Sequence, residues 1–238
     1  MAQAIRKAFP PRAGHAIERK TPAMEAPMTE QSDLPQLYLA TPAAFDPESF
    51  APLLASVLDA HDVACVRIAL ASRDEDLLGR AADACREVCH ARDVAVVIDS
   101  HVALAERHGL DGVHLLDGSR SVRKARKTLG DDAIVGTFCG TSRHDGMTAG
   151  EAGADYVAFG PVGGSALGAG ERAEAELFAW WSEMIELPIV AEGALDTDLV
   201  TALTPITDFF AVGEEIWGAA DPVAALGDLI AAMPAAAQ

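Results

Sequence analysis

Residues 94–115 read VAVVIDSHVALAERHGLDGVHL. Ala95–Ile98 is a short, uninterrupted apolar run rich in valine and isoleucine, the pattern of a strand buried on both faces. Val102–His108 reads as a helix, and Gly112–Leu115 returns to a buried run. This is one strand–helix–strand unit, and it repeats in both directions. Further strands are expected at Gln36–Leu39, Cys65–Leu70, Ile134–Phe138, Tyr156–Phe159, Pro188–Ala191 and Phe209–Val212. Helices are expected between them at Phe50–Leu58, Leu77–Cys89, Val122–Leu129, Ala173–Met184, Leu199–Leu203 and Val223–Met233, with a short one between Ser142 and Ala152. In the second of these, Leu77, Leu78, Ala81, Ala82, Cys85, Val88 and Cys89 recur at three- and four-residue steps and form one apolar face.

Eight strands alternating with helices over about 200 residues give units of about 25, which is the arithmetic of a (β/α)8 barrel. A doubly wound sheet has fewer strands, and no G-x-G-x-x-G follows the first strand. The fold expected is therefore α/β, a single (β/α)8 TIM barrel over residues 34–238. Residues 1–33 differ: they carry Arg6, Lys7, Arg12, Arg19 and Lys20 and several prolines. They are expected to form a disordered basic N-terminal tail, with Met28 an alternative start.

The whole chain of 238 residues is half hydrophobic, enough for a large core. No apolar run is long enough for a membrane span. With 18 Lys and Arg against 36 Asp and Glu, the net charge is −18. So acidic a surface repels nucleic acid and anionic membranes. Four cysteines occur, none in a C-x-x-C pair, so a disulfide scaffold or zinc knuckle is not expected and the reducing cytoplasm is. The oligomeric state is open, a homo-oligomer included.

Three stretches resemble the thiamine phosphate synthase family, which includes the thiazole tautomerases. They are Val94–Leu115, with Asp111-Gly112-Val113-His114-Leu115; Ala149–Val162, reading AGEAGADYVAFGPV; and Trp217-Gly218-Ala219-Ala220-Asp221-Pro222. The likeness runs over about Leu34–Met233 and lies mostly in framework. It implies a barrel that joins an aminopyrimidine diphosphate to a thiazole phosphate and releases pyrophosphate. That chemistry needs cations on the leaving group, carboxylates for magnesium, and backbone N–H groups for the thiazole phosphate.

The residues present depart from the family pattern at each of these points. Where the family has Gln-x-Arg-x-Lys, this chain has Arg67-Ile68-Ala69-Leu70-Ala71. The two metal aspartates fall on Ser100 and Ser119, so no metal ligand is assigned, and Mg2+ is expected only if the family activity is retained. Asp99 lies one residue from the first of these positions. A one-residue shift turns a side chain to the other face of an extended chain, so Asp99 is not an evident substitute. Asp99 and Asp117 are read as solvated loop acids or caps. The Val-Ser-x-His-Thr of the fifth loop reads Thr137-Phe138-Cys139-Gly140-Thr141, so the histidine becomes Gly140. The Thr and Lys of the sixth loop are gone from the glycine-rich run Gly160–Gly170, where Gly168 takes the place of the lysine. The phosphate cup keeps Gly193 but gains Glu192 before it, and its Val-Ser pair becomes Gly213-Glu214, with Glu215 next. A like charge at ~5 Å costs roughly 3 kcal/mol at an effective dielectric of ~20, enough to oppose a phosphate.

Barrel chemistry sits where strands end. The ligand-binding candidates are accordingly Arg67, Asp99, His101, Asp117, Thr141, Glu192, Gly193, Gly213 and Glu214; no catalytic residue is assigned. Beyond residue 33 lysine occurs only as Lys124 and Lys127, both on a helix, so a lysine clamp or Schiff base is not expected. Cys139 and His114 read as core residues and His144 as a surface residue. The run Arg120, Arg123, Lys124, Arg126 and Lys127 reads as a solvated face. The function expected is that of a thiamine phosphate synthase-like protein with weak or lost coupling activity, acting on a small molecule. A divergent barrel for another small ligand and a non-catalytic regulatory or interaction barrel stay open.

Overall fold

The computed structural model describes residues 34–164 and 171–234. Eight parallel strands close on themselves in chain order: β1 Gln36–Ala40, β2 Cys65–Ile68, β3 Ala95–Asp99, β4 Gly112–Leu115, β5 Ile134–Phe138, β6 Tyr156–Phe159, β7 Ile189–Glu192 and β8 Phe209–Val212. The helices are α1 Pro47–Ala60, α2 Glu75–His90, α3 Val102–His108, α4 Val122–Leu129, α5 Arg143–Glu151, α6 Ala175–Met184, α7 Thr197–Leu203, the one-turn α8 Glu214–Trp217 and α9 Pro222–Ala231. A short 3-10 turn, Thr204–Ile206, precedes β8. The TIM barrel is therefore the fold, and β1 pairs with β8 through Tyr38 opposite Ala211 to close it.

Strand alternation divides the core in two. Leu37, Leu39, Val66, Ile68, Val96, Ile98, Val113, Phe159 and Phe210 face outward and pack under the helices. Tyr38, Cys65, Val97, Ile134, Tyr156, Val190 and Phe209 fill the barrel interior. Tyr156 fits only because Gly136 lies beside it: a Cβ there would come within 1.9 Å of the Tyr156 ring.

Aspartates do much of the framework work, and this absorbs part of the acidic charge. Asp46, Asp74, Asp196 and Asp221 accept from backbone N–H groups at the first turns of α1, α2, α7 and α9. A second set stands just ahead of β4, β6 and β8. Asp111 accepts the Val96 N–H at 2.8 Å, Asp155 the Val135 N–H at 2.7 Å, and Asp208 the Ile189 N–H at 2.8 Å. Each ties the start of an even-numbered strand to its odd-numbered neighbour. The Gly-Ala-Asp-Tyr-Val stretch is thus framework, with Asp155 held also by Arg126.

Expected strand ends move by up to two residues, and the chain adds the 3-10 turn and α8 to the expected helices. The tail expected at 1–33, the alternative start at Met28, and the loop substitutions at 165–170, Gly168 included, lie outside the described residues.

Candidate active site at the barrel mouth

Arg67 is the third residue of β2 and points into the barrel near the C-terminal ends of the strands. Its guanidinium is buried and donates two hydrogen bonds to Glu192 on β7, Nη1 to Oε2 at 2.9 Å and Nη2 to Oε1 at 2.8 Å. Its Nε stands 3.5 Å from Oδ1 of Asp99. Burial works against the charge of Arg67, but Glu192, Tyr38 and Asp99 outweigh it and hold the group protonated. Burial pushes the Asp99 carboxyl up to about 6; Arg67 pulls it down and Glu192 adds to the rise.

Asp99 is therefore neither a solvated loop acid nor a cap. The inward side chains of β3 are Ala95, Val97 and Asp99, so Asp99 shares the interior face with Arg67. Ser100, at the family's metal position, is exposed, and its φ of 56° lies in the left-handed region. Asp117 is an exposed loop acid that accepts from the Ser121 hydroxyl at 2.6 Å.

Below Arg67 a second polar layer crosses the interior. The Tyr156 hydroxyl lies 2.7 Å from the Tyr38 hydroxyl and 2.9 Å from Nδ1 of His114. Burial, then the Arg67 charge, pushes His114 well below the usual imidazole range, so it is neutral. His114 is a hydrogen-bonded core histidine, and its Nε2 has no hydrogen-bond partner. Cys139 is a buried thiol pushed up to about 12 by burial and by Asp145, far from a nucleophile's range. His144 is exposed on α5.

The loops after β7 and β8 form the other half of the mouth. Gly193 has φ 92° and Ala194 φ 55°, a left-handed pair that turns the chain sharply. For alanine this conformation costs on the order of 1–2 kcal/mol. The residue that reaches the turn is Glu215, not Glu214. Glu215 accepts the Leu195 N–H on Oε1 at 3.0 Å and the Gly213 N–H on Oε2 at 2.7 Å. Glu214 is exposed. The structure brings Arg67, Asp99 and Glu192 together, and separately Leu195 and Gly213 onto Glu215. His101, at the start of α3, and Thr141, in the turn before α5, are half-buried. The His101 backbone N–H donates to the Asp99 carbonyl at 2.6 Å, but among the described residues no side-chain bond joins His101 or Thr141 to the Arg67 cluster.

The family model described as thiamine monophosphate synthase matches residues 37–216. The chain belongs to the thiamine monophosphate synthase family. It is 44% identical over 198 residues to the thiamine-phosphate synthase of Rhodospirillum centenum, covering 81% of this chain and 95% of that one. The thiamine-phosphate synthase of Hyphomonas neptunium is 36% identical over 197 residues, 80% and 89% of the two chains. A thiamine phosphate pyrophosphorylase from Pyrococcus furiosus superposes with a TM-score of 0.68 at 23% identity, over 83% and 94% of the chains, and shares the fold.

Magnesium binding in a thiamine phosphate synthase needs hard anionic oxygens. Asp99 faces Arg67, Asp117 is bonded to Ser121, and Ser100 and Ser119 are neutral. Among the described residues no three His, Cys, Asp or Glu side chains converge as a metal set would. A magnesium ion here would rest on one or two carboxylates and on substrate phosphates, the usual arrangement for this ion. Among the described residues no helix is long and apolar enough to cross a membrane.

Proposed function

We propose that the protein is a thiamine phosphate synthase-like barrel of thiamine biosynthesis that takes small molecules at its C-terminal mouth. Its coupling of an aminopyrimidine diphosphate to a thiazole phosphate is weak or lost. The named relatives, matched over nearly their whole length, support the pathway. The state of Arg67 supports the loss. It is the one buried cation among the described residues, and two carboxylates already surround it. Departing pyrophosphate needs preorganised positive charge, and one missing contact of this kind costs about 10²–10³-fold in rate. With Arg67 engaged by two carboxylates and serines at the two family metal positions, less positive charge is left to meet it. The protein is read as cytoplasmic and without nucleic-acid partners.

The test is single-turnover formation of thiamine phosphate from both substrates with magnesium, against an active family enzyme. The expected rate is about 10²-fold or more below the control; a rate equal to the control's overturns the proposal. A second reading rests on the same cluster. Two carboxylates against one guanidinium suit an uncharged or cationic ligand better than a diphosphate. A thermal-shift screen in which a neutral or cationic heterocycle raises the melting temperature, while phosphates do not, favours it.

A further inference from the structure

Helices α4, α5 and α6 follow β4, β5 and β6, so they stand side by side on the outer wall of the barrel. Between α5 and α6 lies an apolar groove of about 550 Å³, whose lining includes Met147, Gly150, Trp181, Ile185 and Leu187. Met147 is 39% exposed and Met184, at the end of α6, is 63% exposed. Charge brackets the groove. On one side α4 presents Arg123, Lys124 and Lys127, all exposed. Arg126 of the same helix reaches the groove's edge, where it donates to Asp155 and to the Gly153 carbonyl at 2.9 Å. On the other side Glu183 and Glu186 are exposed at and just beyond the end of α6. None of these three cations and two carboxylates has an ion-pair partner among the described residues.

We propose that this wall is a self-association surface, on which two copies of the chain pair about a two-fold axis through the groove. The order across the wall is basic, apolar, acidic. A two-fold rotation reverses that order in the second copy, and each contact then occurs twice. So α4 of each copy meets Glu183 and Glu186 of the other, and the two grooves close over their methionines. An apolar centre inside a charged rim is the usual anatomy of a protein–protein interface, and methionine is enriched there. The net charge of −18 makes two copies repel at a distance, so pairing needs a local match of opposite charges. This wall supplies one. An acidic partner of another kind would use α4 and leave the acidic rim opposed by like charge. A basic apolar segment would use the groove and that rim and leave α4 opposed. Only a second copy satisfies all three zones. The inference is independent of the coupling reaction.

The experiment is sedimentation equilibrium of the full-length protein at micromolar concentrations. Wild type should be a reversible dimer. Arg123→Glu with Lys127→Glu makes both sides of the groove acidic. Glu183→Lys with Glu186→Lys makes both sides basic. Each pair of substitutions should weaken the dimer about tenfold or more, with the circular dichroism spectrum unchanged. Mixing the two variants should restore association as a mixed pair, because every contact again joins opposite charges. If either double variant does not fold, Lys127→Glu and Glu183→Lys alone carry the same comparison. A monomeric wild type overturns the proposal. So does a dimer that neither reversal weakens, which would place the interface elsewhere. Two weakened variants that fail to pair when mixed overturn it as well, since the loss would then reflect overall charge rather than this match.

Discussion

Arg67 and Glu192 are 125 residues apart in sequence, yet their side chains meet across the barrel mouth through two parallel hydrogen bonds of 2.9 and 2.8 Å. With Asp99 they form a buried cluster of one cation and two acids. This arrangement dominates the electrostatics of the mouth and yields the first two predictions.

Replacing Arg67 by Met should be strongly destabilising. It strands two carboxylates in the barrel interior, and breaking a buried pair in this way costs about 3–5 kcal/mol. Arg67→Met with Glu192→Met should recover a large part of that loss. Urea unfolding of the three proteins measures it; a single variant as stable as wild type would mean water already solvates the cluster.

The raised value of about 6 for Asp99 fixes a pH dependence. An ordinary unfolded aspartate titrates near 3.9. Between about pH 4 and 6 the folded state therefore holds a proton at Asp99 that the unfolded state has released, so this group lowers stability as pH rises through that window. Its contribution is most favourable below pH 4 and lost above 6. Asp99→Asn should remove this part of the slope, so its stability relative to wild type should improve from pH 4 to 7. Urea midpoints across that range test it. A carboxyl carbon titration of Asp99 centred below about 4.5 would contradict it.

Tyr156 is the middle of the interior layer. Tyr156→Phe takes away the hydroxyl that meets Nδ1 of His114 and leaves both ring nitrogens without a partner. The expected cost is about 1–3 kcal/mol, larger than for Tyr38→Phe, which leaves the His114 contact intact. Thermal unfolding of the two variants in parallel decides this ordering.

All four cysteines are buried, and burial pushes their thiols up, Cys85 and Cys139 to about 12. In native protein a disulfide reagent should modify none of them faster than the barrel opens. Rates should rise in step with urea-induced unfolding. Rapid labelling of Cys139 in native buffer would show that its loop is open to solvent.

The barrel was legible because eight buried strands write themselves as short β-branched runs, and β4, β5, β6 and β8 fall at the expected residues. The one-turn α8 was not, since four residues are shorter than any helical period. The site was legible in its members more than in its contacts. Arg67, Asp99 and Glu192 were candidates, but their meeting depends on the closure and register of distant strands, which no local pattern carries. Parity counted from Ser100 puts Asp99 on the wrong face, whereas the inward set runs through Ala95 and Val97 to Asp99. The sequence offers Glu214 and Glu215 side by side, and Glu215 makes the contacts. Adjacent residues on a helical turn point about 100° apart, and only the three-dimensional turn shows which one faces the cup.

The seam between β1 and β8 has a further consequence for how the chain is made. The edge of β1 finds its partner only when Phe209–Val212 has been synthesised. The Trp217 indole N–H then donates to the Ala40 carbonyl at 2.6 Å while its ring packs on Phe50 of α1. On the ribosome the first strand therefore waits, with its edge unpaired, for almost the entire length of the barrel. An unpaired edge is where chains associate wrongly. Premature termination just before β8 would release a nearly complete barrel with two open edges, a species for chaperones and proteases rather than a shortened enzyme.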